Sequence, residues 1–313
     1  MSLEVVDDLP APHVLTLMTV TAHPDDETLW AGGVLARYAD EGLRVLCVTC
    51  TGGENGSIVL PELDSPENRA RLGEIRAEEL TRALARLGPI ENRWLGYADS
   101  GVMGSPQNTD PRSFWQADPE EATGRLVRIV REVRPDVIVT FNEWGGNGHP
   151  DHIRAAEIAR AAFDRAGDAL AYSEQLAGPD GVQPWTPSKL YERRMTAGRR
   201  RKVARLVADE GIIAALPILV RIVTQWRPRK ERSRRIKANL QSPATAEVEV
   251  GSWVAKKQAA LAEHRTQFVP NPVQLRYLSF ATEQFTLRGS RVEVTLPEKD
   301  LFAGLRSGSR TEL

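Results

Sequence analysis

The sequence predicts an α/β protein with a Rossmann-like, doubly wound and mostly parallel sheet, a C-terminal extension and a basic helical insertion. Three observations lead to this fold class. Apolar, strand-like runs alternate with amphipathic, helix-like segments in the first half of the chain, which is typical of parallel strands joined by helical crossovers. Two of the strand-like runs end in polar clusters, and the functional crevice of such sheets lies beyond the carboxyl ends of the strands. A strongly basic segment interrupts the later part of the chain.

The strand-like and helix-like segments follow one another regularly as far as about residue 168. Short apolar runs predict strands, because strands buried on both faces of a parallel sheet are almost wholly apolar. Longer segments with apolar residues three and four apart predict helices. The predicted strands are residues 14–21, 43–50, 93–95, 136–141 and 189–193, and the predicted helices are residues 27–40, 66–87, 119–133, 151–165 and 253–267.

A basic segment separates the first part of the chain from its C-terminal part. Residues 193–237 hold 15 Lys or Arg against three acidic residues, a balance of +12 in a chain with a net charge of -1. We interpret this segment as a solvated helical face, with a lid, an oligomer contact or an anion-attracting rim as alternatives. We therefore expect a Rossmann-like catalytic core in residues 1–190, the basic helical insertion in residues 191–240, and a C-terminal helix and strands in residues 241–313 that complete the same domain.

Composition argues against several classes of protein. With 41% hydrophobic and 27% charged residues, the chain shows no sign of a nucleic-acid partner or of disorder. It has no apolar run of roughly 18 residues, so we expect no membrane span. The first residues include Glu4, Asp7 and Asp8, where a signal peptide would be basic, and this favours a cytoplasmic protein.

The two cysteines, Cys47 and Cys50, form a C-x-x-C inside a predicted strand. A redox motif needs both thiols at the start of a helix, whereas residues three apart on a strand point to opposite faces of the sheet. We interpret them as two reduced core cysteines, with a redox or zinc role as the less favoured alternative.

Two polar clusters, residues 22–27 (AHPDDE) and 148–152 (GHPDH), follow predicted strands and hold three of the five histidines. A catalytic zinc needs about three imidazole or carboxylate ligands and one open position. His23 and Asp26, three residues apart in a tight turn, can face one ion, and His152 can complete the set from the other strand. The sequence therefore predicts one bound Zn²⁺, although Fe²⁺ or Co²⁺ would accept the same ligands.

The remaining side chains of the two clusters suit proton transfer. Asp25 is not needed as a ligand and is free to act as general base toward a water molecule at the metal. Asp151 can hold the His149 imidazole protonated, so that it stabilises an oxyanion or protonates a leaving amine. Either cluster alone could be a helix cap or a turn, but two at equivalent strand ends favour a metal site.

The two clusters resemble the signatures of a known enzyme family. Residues 22–27 and 148–152 look like those of the LmbE-like or PIG-L-type zinc-dependent N-deacetylases. Those enzymes remove acetyl groups from N-acetylglucosamine-containing glycosides and related small molecules. The likeness extends through residues 72–80, 96–101 and 257–265, and so covers most of the chain apart from the basic segment.

Within the family, the surroundings of Asp99 and residues 113–116 look most similar to the branch that makes or processes mycothiol. The resemblance implies the same roles for the two clusters, and it adds a sugar site, where carboxylates and a guanidinium suit vicinal hydroxyl groups. By this resemblance the zinc ligands are His23, Asp26 and His152, the general base is Asp25, the oxyanion is stabilised by His149 with Asp151, and the sugar site is lined by Glu54, Arg76 and Asp99.

One position departs from that branch. The mycothiol enzymes have a tyrosine two residues before the first histidine of the second motif, and this chain has Asn147 there. Asparagine can donate a hydrogen bond to a substrate but cannot give up a proton at useful pH. The sequence leaves open whether His264, on the last predicted helix, reaches the site.

The function expected from these features is metal-dependent removal of the N-acetyl group from an N-acetylglucosamine-containing glycoside or a related small molecule. An amidase that cleaves mycothiol-like S-conjugates is the alternative. A non-catalytic metal-binding protein is less favoured, because a structural zinc site closes its fourth position and has no use for the spare Asp25. A dinucleotide-binding dehydrogenase is disfavoured, because no G-x-G-x-x-G follows the first strand. The expected partner is a small molecule, and a homo-oligomer stays open.

Overall fold

A seven-stranded mixed sheet forms the centre of the protein. The computed structural model describes residues 13–194 and 244–306. The strands are β1 (Thr16–Thr21), β2 (Arg44–Thr51), β3 (Ile90–Tyr97), β4 (Val137–Thr140), β5 (Lys189–Arg193), β6 (Ala246–Glu249) and β7 (Thr282–Ser290). Their order is β3-β2-β1-β4-β5-β7-β6; the first five are parallel, and β7 runs antiparallel to both β5 and β6. The predicted fold class, a doubly wound and mostly parallel sheet, is confirmed.

Helices cover both faces of the sheet. They are α1 (Asp26–Asp40), α2 (Pro66–Ala70), α3 (Leu72–Leu87), α4 (Pro119–Val133), the single turn α5 (Gly145–Gly148), α6 (Pro150–Arg165), α7 (Val254–Glu263) and α8 (Pro272–Leu278). The helices α1, α3 and α7 pack together on one face and α4 and α6 on the other, so each face of the sheet has its own apolar core. In the described ranges, no helix combines the length and apolar content needed to cross a bilayer.

The two cysteines confirm the expectation drawn from strand geometry. Both lie on β2, are buried and are free thiols. Cys47 packs into the core on the α1 and α3 face, and Cys50 into the core on the α4 and α6 face. Burial raises the pKa of both thiols, so they are inert core side chains.

Three predicted elements differ from the structure by more than one or two residues. The predicted helix at residues 66–87 is two helices, because Arg71 leaves the helical conformation at φ -114° and ψ 16°. The predicted strand at residues 93–95 extends over all of β3, an edge strand whose largely exposed side chains show no apolar pattern. The last predicted helix ends at Glu263, since His264 has a non-helical ψ of 60°. The basic segment lies outside the described residues beyond Arg194.

The topology places the two polar clusters at one edge of the sheet. Strands β1 and β4 are neighbours at its centre and run parallel to each other. The chain leaves β1 for α1 on one face and leaves β4 for α6 on the other, so a crevice opens between the two carboxyl ends. Residues 22–27 follow β1 and residues 148–152 span the start of α6, which brings both clusters to this crevice.

Candidate metal centre and active site

A tight turn after β1 brings His23 and Asp26 to the same side. The backbone N–H of His23 donates to Asp26 Oδ2 at 2.9 Å, and the backbone N–H of Asp26 donates to the His23 carbonyl at 3.2 Å. Between them Asp25 has φ 128°, a positive value that residues other than glycine rarely adopt. Such a backbone costs about 1–3 kcal/mol and is typical of functional turns.

His152 is oriented by the loop that precedes α6. Its Nδ1 lies 3.0 Å from the carbonyl oxygen of Gly145, and its ring stacks on Phe141 with centroids 4.2 Å apart. Gly145 has φ +60°, and a Cβ there would lie 2.7 Å from the Cβ of His152. Only glycine therefore fits at this position, and the close approach leaves His152 Nε2 facing the turn after β1.

Three ligand atoms form a nearly equilateral triangle. His23 Nδ1, Asp26 Oδ2 and His152 Nε2 are separated pairwise by 3.3 Å, 3.3 Å and 3.3 Å. Tetrahedral zinc with bonds of about 2.0–2.1 Å places its ligand atoms about 3.3–3.4 Å apart. His149 belongs to a wider group, in which His23, His149 and His152 have ligand atoms within 4.8 Å of one another. The set that includes Asp26 fits a tetrahedral ion best, because all three of its separations match that geometry.

A second layer of hydrogen bonds holds each of these three side chains. Trp30 Nε1 donates to Asp26 Oδ1 at 3.2 Å, and Asp151 Oδ2 lies 3.2 Å from His23 Nε2. With the Gly145 carbonyl at His152, every member of the triangle is oriented from behind, as in protein metal sites generally. Sequence reasoning missed Trp30, although its position four residues after Asp26 on α1 places both on one helix face.

The charges around the triangle favour a cation. Burial alone would lower the pKa of His23, but hydrogen bonds with Asp151, Asp26 and Asp99 outweigh it and raise that pKa well above its usual value. Burial alone would raise the pKa of Asp26, but the charge and hydrogen bonds of His152 and His23 hold it well below its usual range. The carboxylates that cause this shift would also attract a divalent ion, which binds the imidazole once it has lost its proton.

Asp25 lies beside the triangle without belonging to it. Its Oδ2 is 3.4 Å from Nη2 of the buried Arg76. Burial raises the pKa of Asp25 to about 6, although the charge of Arg76 opposes the rise. Arg76 also donates to the carbonyl oxygens of Pro24 and Gly53, each at 2.7 Å. The guanidinium therefore fixes the turn that carries Asp25.

The expected pair of His149 and the carboxylate of Asp151 is not joined by a hydrogen bond in the structure. Asp151 Oδ2 comes no closer than 4.0 Å to His149 Nδ1, too far for a hydrogen bond. The carboxylate instead accepts from the backbone N–H and the hydroxyl of Ser100 and contacts His23. Burial, together with the charges of His23 and His152, lowers the pKa of His149 to about 2, which favours the neutral imidazole. The turn at the start of α6 explains this separation, because His149 Nδ1 accepts from the Asp151 backbone N–H there.

Residues 18–163 match the family model described as PIG-L, GlcNAc-PI de-N-acetylase. The chain is 38% identical over 304 residues to the 1D-myo-inositol 2-acetamido-2-deoxy-alpha-D-glucopyranoside deacetylase of Nocardiopsis dassonvillei, covering 92% of this chain and 100% of the relative. It is 39% identical over 311 residues to deacetylase 1 of the same description from Frankia alni, covering 91% and 99%. The chain belongs to the PIG-L family. The resemblance of its two clusters to this family is thereby confirmed.

Solved structures share the fold of this PIG-L protein at low sequence identity. The N,N'-diacetylchitobiose deacetylase of Pyrococcus horikoshii has a TM-score of 0.58 at 18% identity, over 87% of this chain and 83% of that one. The 4-carboxy-2-hydroxymuconate hydratase of Pseudomonas putida has a TM-score of 0.55 at 17% identity, over 90% and 100%. One fold thus carries two kinds of reaction, so activity has to be argued from the site.

The remaining sugar-site candidates of this PIG-L protein differ in burial: Asp99 is buried, Glu54 is half-buried and Asn147 is exposed. The buried carboxylate of Asp99 accepts from the backbone N–H groups of Asn55 and Gly101, and its Oδ1 lies 3.6 Å from His23 Nε2. Glu54 Oε1 accepts from the backbone N–H of Asp99 at 2.8 Å. Asn147 is exposed, and its Oδ1 accepts from the backbone N–H of His149 at 3.0 Å.

Proposed function

We propose that this chain is a zinc-dependent N-deacetylase that releases acetate from an N-acetylglucosamine-containing glycoside, with GlcNAc-inositol as the preferred class of substrate. The observation that carries the proposal is the position of Asp25, a carboxylate with a pKa of about 6 beside a triangle of ligand atoms spaced for tetrahedral zinc. The names of relatives that match more than nine-tenths of the chain support the substrate class.

His23, Asp26 and His152 would hold the ion. When bound, zinc polarises a carbonyl group and lowers the pKa of water to roughly 7. The same three side chains would accept Fe²⁺ or Co²⁺. Asp151 and Trp30 fix the orientations of His23 and Asp26, so the site is organised before an ion arrives.

Asp25 carries the proton transfers in this proposal. A carboxyl with a pKa of about 6 is largely ionised at neutral pH, so an oxygen of Asp25 can take a proton from the attacking water. The protonated form is acidic enough to pass that proton to the nitrogen of the departing amine. Arg76, at 3.4 Å, limits the rise of the pKa and keeps the side chain in place.

His149 supplies a hydrogen bond in its neutral form. Because Nδ1 accepts the backbone N–H of Asp151, the single proton of the neutral ring lies on Nε2. That N–H can donate to the acetamide oxygen as it gains negative charge, and one such donor typically contributes 10²- to 10³-fold in rate. Asp151 then acts through His23 and leaves the charge of His149 unchanged.

Four side chains would orient the sugar. Asp99 and Glu54 would accept hydrogen bonds from hydroxyl groups. Arg76 would act from behind, because it links Gly53, after β2, to the turn after β1 that carries Asp25. Asn147 uses its Oδ1 within the loop, which leaves its NH₂ group as the donor that it can offer to a ligand. It can stabilise an oxygen of the substrate but cannot transfer a proton.

The test compares substrates on metal-free protein reconstituted with zinc, with chelator-treated protein as the control. Free amine would be measured from the GlcNAc-inositol glycoside, from N-acetylglucosamine and from a cysteinyl S-conjugate. We expect the highest kcat/KM with the glycoside and no turnover after chelation. Turnover of the S-conjugate alone would identify an amidase instead, and equal activity with and without chelator would remove the metal from the reaction.

A further inference from the structure

A buried histidine lies behind the turn that carries Asp25. His264 follows α7 and is fully buried, with Nε2 3.4 Å from Glu27 Oε1 and 3.3 Å from Thr28 Oγ1. Glu27 is equally buried, and its Oε2 accepts the backbone N–H of Asp25 at 3.0 Å. A continuous chain of contacts therefore runs from the C-terminal part of the sequence to the backbone of the proposed base.

The backbone of Asp25 needs such support. A φ of 128° is unfavourable for a residue that has a Cβ, so neighbouring contacts must hold the backbone in this conformation. Asp25 precedes α1, yet its side chain makes no capping hydrogen bond to the helix. Instead Glu27, two residues later, accepts the Asp25 N–H, which leaves the Asp25 carboxylate free to face the site.

Glu27 in turn depends on its other partners. A buried carboxylate is stable only when its oxygens are hydrogen-bonded or paired. Thr28 Oγ1 donates to Glu27 Oε1 at 2.5 Å, and the His264 ring approaches the same oxygen. Within the described residues, His264 Nδ1 has no hydrogen-bond partner, so the ring is held through Nε2.

We propose that His264 is a positioning residue for the general base. Through Glu27 it keeps the backbone of Asp25 at positive φ and so fixes the carboxylate relative to the substrate. This inference rests on the proposed function, because it takes Asp25 as the base. His264 contacts neither metal nor substrate in this proposal. Loss of the His264 ring should therefore lower kcat and leave KM and zinc content unchanged.

The fold around His264 allows the ring to be changed selectively. The carbonyl oxygen of His264 accepts from the backbone N–H groups of Gln267 and Phe268, independently of the ring. Thr266 anchors the same segment to α3, with its N–H and hydroxyl donating to Glu79 at 2.8 Å and 2.6 Å. Thr266→Val is therefore a matched control that weakens the anchor without touching Glu27.

The experiment compares His264→Gln, His264→Asn and Thr266→Val in zinc-loaded protein. The glutamine amide reaches the position of Nε2, whereas the asparagine amide reaches only that of Nδ1. A displacement of about 1 Å in a reacting group can cost 10²-fold in rate. We expect kcat to fall about 10- to 100-fold in His264→Asn and to recover largely in His264→Gln. In Thr266→Val kcat should stay near that of the parent while Tm falls. If His264→Asn fails to fold, Glu27→Gln tests the same contact and should show the same loss of kcat at unchanged KM.

Several outcomes would overturn the proposal. They are an unchanged kcat in His264→Asn, equal losses in the asparagine and glutamine variants, or a loss of zinc in proportion to activity. If the parent deacetylates none of the N-acetyl substrates, the proposed function fails instead. Crystal structures of parent and His264→Asn then decide the inference: a shift of Asp25 away from positive φ supports positioning, and an unchanged turn overturns it.

Discussion

The contact between Asp151 and His23 makes the replacement Asp151→Asn informative. The Asp151 side chain is fully buried, accepts two hydrogen bonds from Ser100, and lies 3.2 Å from His23 Nε2. An amide keeps the shape and can still accept from Ser100. It presents no negative charge to the imidazole, which becomes a weaker ligand and is less firmly oriented.

Two independent ranges give the expected loss of zinc affinity in Asp151→Asn. Removing the outer partner of a ligating histidine typically weakens metal binding 10- to 100-fold, which corresponds to about 1.4–2.7 kcal/mol. A hydrogen bond to a charged group contributes about 1.5–3 kcal/mol. The two ranges overlap, so we expect the zinc Kd of Asp151→Asn to rise by one to two orders of magnitude.

The measurement is a zinc titration in competition with a chromophoric chelator. Asp164→Asn is the matched control, because Asp164 lies on the same helix with its side chain 73% exposed, and its Kd should equal that of the parent. Thermal unfolding would confirm that Asp151→Asn is folded. An unchanged zinc Kd together with a large fall in kcat would refute this reasoning and return Asp151 to a role through His149.

Two further predictions concern the scaffold. Gly145→Ala should destabilise the protein by at least roughly 1–2 kcal/mol, the cost of a left-handed conformation for a residue with a Cβ. It should also weaken zinc binding, because the new Cβ would press on His152. A Tm and a zinc Kd equal to those of the parent would contradict this. Lys257→Met should lower the free energy of unfolding by about 3–5 kcal/mol, since it leaves the buried charge of Glu283 without its cationic partner. Lys257→Met with Glu283→Leu should cost less than the single change in urea unfolding, and a larger cost in the double variant would argue against the buried-charge explanation.

The sheet and the approach of His23, Asp26 and His152 could be predicted from the sequence because both depend on short-range patterns. His23 and Asp26 share one turn, and His152 follows a strand that the alternation of segments places next to β1. The pairing of Asp151 could not be predicted in the same way. Its partner His23 is 128 residues away, and the turn at His149 that prevents the local pair depends on the backbone of the helix start.

The position of His264 was open for a similar reason. Its neighbour Thr28 lies 236 residues earlier, and no local pattern links α7 to the turn after β1. The length of edge strand β3 was underestimated, because only one of its edges is paired and its side chains need not be apolar. What sequence alone cannot supply here is the contact between distant elements.

In the proposed reaction Asp25 acts as the base while three other side chains hold the metal, and the replacement Asp25→Asn separates these two roles. The amide keeps the shape of the side chain but cannot take a proton. Zinc content and kcat would be measured together on the same preparation. We expect one zinc per chain, as in the parent, and a fall in kcat of about 10²- to 10⁴-fold. Loss of zinc with full activity in the fraction that still holds metal would contradict the claim and make Asp25 a ligand.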